Sequence, residues 1–230
     1  MQNSYITNLI FSFTSFMEEN RNPARAARMS AYMKNLFPFY GIPSPIRAEL
    51  GRTYHKSMGI KSLNRELVSG LWAVPEREAQ YAAMDHIKKF KKQLTSQDIP
   101  WLESLILQKS WWDTVDFLAV HVAGEIFSRY PELNKSIPDK WISSTNIWLN
   151  RTALLYQLKY KNTTDFEKLR RYILLQAGSK NFFINKASGW ALREYAKTNP
   201  IAVKQFVEAN SYLANLTRRE AMKHLSGHPG

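Results

Sequence analysis

The run Trp111-Trp112-Asp113-Thr114-Val115-Asp116 places two carboxylates beside two indoles at the head of an apolar stretch. A carboxylate set against aromatic faces can stabilise a developing positive charge and orient water toward it. The block has echoes downstream. Thirty-five residues after Asp116 stands Arg151, and 35 after that stands Lys186. Trp112 maps by the same step to Ile147, beside Trp148, and then to Phe182, beside Phe183. One slot thus carries an acid, an arginine and a lysine in turn, each preceded by an apolar or aromatic residue four positions earlier. Arginine can hold a phosphate with a two-pronged fork and lysine with a point charge.

These side chains need helices to bring them together. On a helix, positions i and i+4 share a face, so Trp112 lies beside Asp116, and Phe182, Lys186 and Trp190 form one line. Spacings of three and four dominate, and no strand-like alternation between hairpin turns is present. Breakers recur at about one helix length, as at Pro23, Gly41, Pro75, Pro100, Pro138, Gly178 and Pro200. The pattern predicts helices near 4–19, 23–36, 44–56, 61–72, 76–92, 98–109, 111–129, 132–143, 146–161, 165–177, 180–198, 200–211 and 217–225. From Pro75 onward they pair, a short helix before a longer one. A 35-residue helix pair points to an all-α protein, an α-solenoid of stacked repeats with a concave face. An irregular helical domain with a chance 35-residue coincidence is the alternative. If the second helices line the concave side, Tyr81, Asp116, Arg151 and Lys186 form a row there, flanked by Trp112, Trp148, Phe182, Phe183 and Trp190. Trp72, Trp101 and Trp141 are expected in the core. Asp113 is expected to serve the helix dipole, and Arg151 with Asp116 can equally be a salt bridge between repeats.

Composition narrows the partners. The chain has 230 residues, 32 Lys and Arg against 19 Asp and Glu, and a formal charge of +13. That excess favours a polyanion through steering and counterion release. There is no cysteine, which excludes disulfides and thiolate metal sites and fits a reducing cytosol. No stretch is apolar long enough to span a bilayer, and the segment Tyr5 to Met17 is expected to be a helix rather than a signal peptide. The five histidines lack metal-ligand spacing, and no phosphate-binding glycine loop or nucleophile elbow is present. His224 and His228 are expected in a solvated tail. The basic runs Lys88 to Lys92 and Arg170-Arg171 are expected on solvated faces.

Several ordered motifs resemble the AlkD-like DNA alkylation repair glycosylases. They are Lys109 to Asp116, Asn146 to Arg151, Leu158-Lys159-Tyr160-Lys161, and Phe182 to Ala187 followed by Gly189-Trp190. Tyr32-Met33-Lys34-Asn35, Pro75 to Glu78 and Arg193 to Pro200 extend the resemblance over about residues 5 to 225. It implies a single domain of HEAT-like repeats over residues 1–230 and a monomer that excises cationic alkylated purines from double-stranded DNA. The lesions would be of the N3-methyladenine and N7-methylguanine types, and the base would stay stacked rather than flipped. By the resemblance Trp112, Asp116 and Trp190 are the catalytic trio, with the indoles on the deoxyribose and Asp116 facing the sugar cation. Arg151 would hold DNA beside them, and Lys159, Phe182, Phe183, Lys186, Tyr32 and Trp148 would lie near DNA. No cofactor or metal is implied, and the setting implied is the bacterial cytosol and nucleoid. Pro43 departs from a glutamine that relatives carry, which touches a DNA contact and not the trio. The competing reading is a helical-repeat protein that binds nucleic acid without excising anything. A protein-binding scaffold would leave the charge of +13 without a use.

Overall fold

A computed structural model describes residues 2–57, 59–223 and 225, without the side chains of 2–4, 54, 55 and 57. The histidines at 224 and 228, expected in a solvated tail, lie outside the described residues, which contain no strand. The chain divides into two compact units, Met1–Leu94 and Thr95–Gly230.

The first unit holds α1 (Gln2–Glu19), α2 (Pro23–Tyr32), α3 (Ser44–Ser57), α4 (Arg65–Ala73) and α5 (Arg77–Phe90). Asn22 caps α2 by accepting from the Arg25 N–H, and Pro23 occupies the first turn, where a missing N–H is harmless. The helix ends at Tyr32, short of the expected residue 36, because Lys34 and Asn35 adopt left-handed backbone with φ of 58° and 56°. The chain then returns through Gly41, at φ 84°. A side chain is impossible there, since a Cβ would stand 2.2 Å from the Asn22 carbonyl oxygen. Phe13, Met17, Leu67, Val68, Leu71, Trp72, Ala83 and Ile87 form the core.

The second unit contains α6 (Ile99–Leu107), α7 (Trp112–Phe117), α8 (Gly124–Arg129), α9 (Ile137–Ile142), α10 (Ile147–Leu155), α11 (Phe166–Leu175), α12 (Phe182–Ala196), α13 (Pro200–Ala209) and α14 (Asn215–Met222). Between α7 and α8 the chain stays helical but is wound as a π-helix over Leu118–Ala123. The expected helix at 132–143 resolves into a short 3-10 turn, Leu133–Lys135, and α9. Trp72 and Trp141 are fully buried as expected, whereas Trp101 is only partly so.

The repeat is most exact in the second helix of each pair. α5, α7, α10 and α12 begin at residues 77, 112, 147 and 182, a constant step of 35, and α14 departs from it by beginning at 215. The first helices α4, α6, α9, α11 and α13 begin at 65, 99, 137, 166 and 200, without one fixed step. Equivalent positions also do equivalent work. Asn146 and Asn181 each accept two backbone N–H groups at the start of their helix. Gln80 and Asn150, two steps apart, each donate from the side-chain amide to three carbonyls at the end of the preceding helix. Asn185, one step further, donates likewise to the Ser179 carbonyl. These bonds satisfy helix-end carbonyls that have no partner inside their own helix. Tyr81, Asp116, Arg151 and Lys186 are therefore one structural slot, the fifth residue of successive helices.

Candidate functional site

Within the second unit α10 packs against both α7 and α12. Asp116 of α7 and Arg151 of α10 face each other across that seam. The Arg151 guanidinium donates from Nε to Oδ1 at 2.6 Å and from Nη2 to Oδ2 at 2.8 Å, a two-pronged pair. Its remaining Nη1 donates to the Phe183 carbonyl of α12. One arginine thus ties three consecutive repeats together. A planar fork with five donors suits this role, and a lysine ammonium would not reproduce it.

Arg151 is 3% exposed, so its guanidinium is committed inside the protein. The Asp116 side chain keeps 15% exposure. Burial pushes the Asp116 carboxyl above its ordinary pKa; the hydrogen bonds and charge of Arg151 oppose this, and the nearby Asp113 charge adds to it.

Aromatic rings wall this seam. Trp111, Trp148 and Phe183 form a triangle with ring centroids 4.9 to 5.7 Å apart, in edge and tilted contacts. Phe182 meets Phe183 edge-on at 5.5 Å and is itself 59% exposed. Trp112 stands one turn before Asp116 on α7, and Trp190 stands one turn after Lys186 on α12; both are partly exposed.

Two of the side chains expected at or near DNA are buried. Arg151 lies beneath the surface because Asp116 and the Phe183 carbonyl take its donors. Trp148 is buried because its ring packs on both Trp111 and Phe183. Phe183 is partly exposed, Lys159 is exposed in the turn after α10, and Tyr32 is 70% exposed at the end of α2 in the other unit. Lys186 does not stand free: its Nζ lies 2.7 Å from Oε1 of Glu220. Sequence reasoning passed over Glu220 and its second partner, Arg193. The available signal was that Glu220 falls 34 residues after Lys186 on an expected helix, close to one repeat step. Among the described residues no cluster of three His, Asp or Glu side chains could hold a metal ion, and no helix is long and apolar enough to cross a membrane.

The fold and this seam define a helical-repeat protein whose stacked second helices present a carboxylate, held by a buried arginine, among aromatic rings. The family model for DNA alkylation repair enzymes matches residues 14–225, and the chain belongs to that family. A solved structure described as a predicted DNA alkylation repair enzyme from Enterococcus faecalis is 32% identical. The similarity covers 90% of this chain and 98% of that one, with a TM-score of 0.82. No curated protein matches.

Proposed function

We propose that this protein is a DNA N-glycosylase that hydrolyses the bond between deoxyribose and a cationic alkylated purine in double-stranded DNA. The observation that carries this reading is the state of Asp116: gripped on both oxygens by a buried arginine, yet still partly exposed. A protein that only gripped phosphates would gain nothing from a central carboxylate, which repels the backbone.

The chemistry follows from the leaving group. Alkylation at N3 of adenine or N7 of guanine gives the base a positive charge, so it departs neutral with the bonding electron pair and needs no strong acid. The barrier is then formation of the sugar cation. Asp116 stabilises that cation and orients the water whose oxygen bonds to C1′ while its proton leaves to solvent. Trp112 and Trp190 pack on the deoxyribose. Arg151 aims the carboxylate from behind, as a positioning residue. Phe182, Phe183 and Lys159 contact DNA around the lesion, which stays stacked; Lys186 lies near it, paired with Glu220, and Tyr32 of the first unit contacts DNA as well. The protein acts as a monomer and calls on no cofactor.

The test is release of N7-methylguanine from methylated duplex DNA by wild type and Asp116→Asn. Wild type is expected to release the base, and the variant to bind the duplex while losing about 10²-fold or more in rate. Binding without release by wild type would instead make this a non-catalytic DNA binder.

A further inference from the structure

α14 is set against α12 more intimately than ordinary helix packing requires. At Gly189 a Cβ would stand 2.5 Å from the Glu220 Cβ and 2.7 Å from the Thr217 carbonyl oxygen, so α14 crosses α12 where no side chain intervenes. Thr217 locks the crossing by donating its hydroxyl to the Asn185 carbonyl at 3.1 Å. The crossing sets Glu220, 7% exposed, over the middle of α12. Its Oε1 takes Lys186 Nζ at 2.7 Å and its Oε2 takes Arg193 Nη1.

Lys186, Trp190 and Arg193 follow the spacing i, i+4, i+7 and so share one face of α12. The two cations that Glu220 holds are the neighbours of Trp190 on either side. A buried carboxylate at this place on a chain of charge +13 works against polyanion binding. The Lys186 hydrogen bond, then the charges of Lys186, Arg193 and Lys223, hold the Glu220 carboxyl below the usual carboxylate range, so it is ionised at neutral pH.

We infer that Glu220 is a positioning residue for the reaction: from α14 it clamps Lys186 and Arg193, orders the α12 face that carries Trp190, and withholds both cations from phosphates. Part of the binding strength of this α12 face is thereby exchanged for alignment of Trp190 on the lesion sugar. The catalytic half of this inference rests on the glycosylase reading, and the electrostatic half does not.

Glu220→Gln keeps the side-chain shape and removes the charge. The freed cations are expected to bind undamaged duplex more tightly at low salt. The slope of log K against log salt should steepen by roughly 0.9 per cation that reaches a phosphate. Base release under single-turnover conditions with enzyme saturating should fall severalfold, with melting temperature showing that the variant is folded. Tighter, more salt-sensitive binding coupled to slower release separates the clamp from a merely structural brace, whose loss would weaken binding and release together. The double variant Glu220→Gln, Lys186→Gln leaves one freed cation and should recover about one unit of slope. If the single variant does not fold, Lys186→Gln with Glu220 intact is the second test: its salt slope should match wild type, and a slope reduced by about one would overturn the clamp. An unchanged salt slope, or binding and release that weaken in parallel with stability, would overturn the clamp. If wild type releases no base, the glycosylase reading falls, while the salt slope still reports on Glu220.

Discussion

The repeat of α4 and α5 and the repeats of α7, α10 and α12 put a carboxylate to opposite ends. In α5 the second residue is Glu78, fully buried, whose carboxylate accepts the backbone N–H groups of Tyr40, Gly41 and Ile42. Every partner is main chain, and the result is an anchored loop. In α7 the fifth residue is Asp116, whose partners are the side-chain nitrogens of Arg151 and which stays partly exposed. A carboxylate consumed by backbone donors is a structural anchor. One oriented by a side chain and left partly exposed can meet a substrate. The repeat supplies positions, and the neighbours decide what each position does.

The sharpest way to break that contrast is to exchange the two losses. Asp116→Asn should abolish most base release, about 10²-fold or more, and leave the melting temperature close to wild type. Glu78→Gln should do the reverse, costing about 3 kcal/mol by turning an amide donor toward backbone donors, with the damage read by thermal unfolding. If Glu78→Gln lost activity without stability, the distinction would collapse.

Arg151→Ala comes next. Asp116 is raised by burial and restrained by Arg151, so removing the arginine leaves burial unopposed and raises it further. Release requires the ionised carboxylate, so the acid limb of the pH–rate profile must move to higher pH. Activity would fall most at acid pH and recover in part as pH rises. A limb that stays in place would show that Asp116 does not carry the rate.

Gln80→Ala and Asn150→Ala probe sameness instead of difference. Each strips three carbonyls of their donor. Each should lose about 1–3 kcal/mol in chemical denaturation. Widely unequal losses would deny that the two positions are one slot. The smallest effect belongs to Lys159→Ala, an exposed charge outside the seam. It should reduce the salt slope of DNA binding by about one and leave melting unchanged.

Most helix starts were legible because their signals are local, although α4 and α9 begin at 65 and 137 where 61 and 132 were expected. Asparagines or an aspartate cap α2, α4, α10, α11, α12 and α13, and Pro23, Pro100, Pro138 and Pro200 sit in first turns. Helix ends were less so. α10 was expected to run to 161 but stops at Leu155. There Gln157 folds back to receive the Asp165 N–H and to donate to its carbonyl, and Lys161 turns left-handed at φ 55°. That turn depends on residues eight positions away, outside the reach of helical periodicity. The pairing of Arg151 with Asp116 was open between a salt bridge and a working contact, and it is a salt bridge in geometry whichever use it serves. The clamp of Glu220 on Lys186 and Arg193 left only a spacing of 34 residues between Lys186 and Glu220 as its trace in the sequence.

The order of residues thus decides where each second helix begins and which side chains occupy its fifth slot. Caps, prolines and apolar spacing act within a turn or two, so those outcomes need no knowledge of the rest of the chain. Only the stacking of α7, α10, α12 and α14 decides that Arg151 is buried, that Asp116 stays partly exposed, and that Lys186 is held by an acid. Burial and ion pairing are set by groups some 30 residues away, brought within 3 Å by helix packing. The desolvation that raises Asp116 exists only once those neighbours have excluded water.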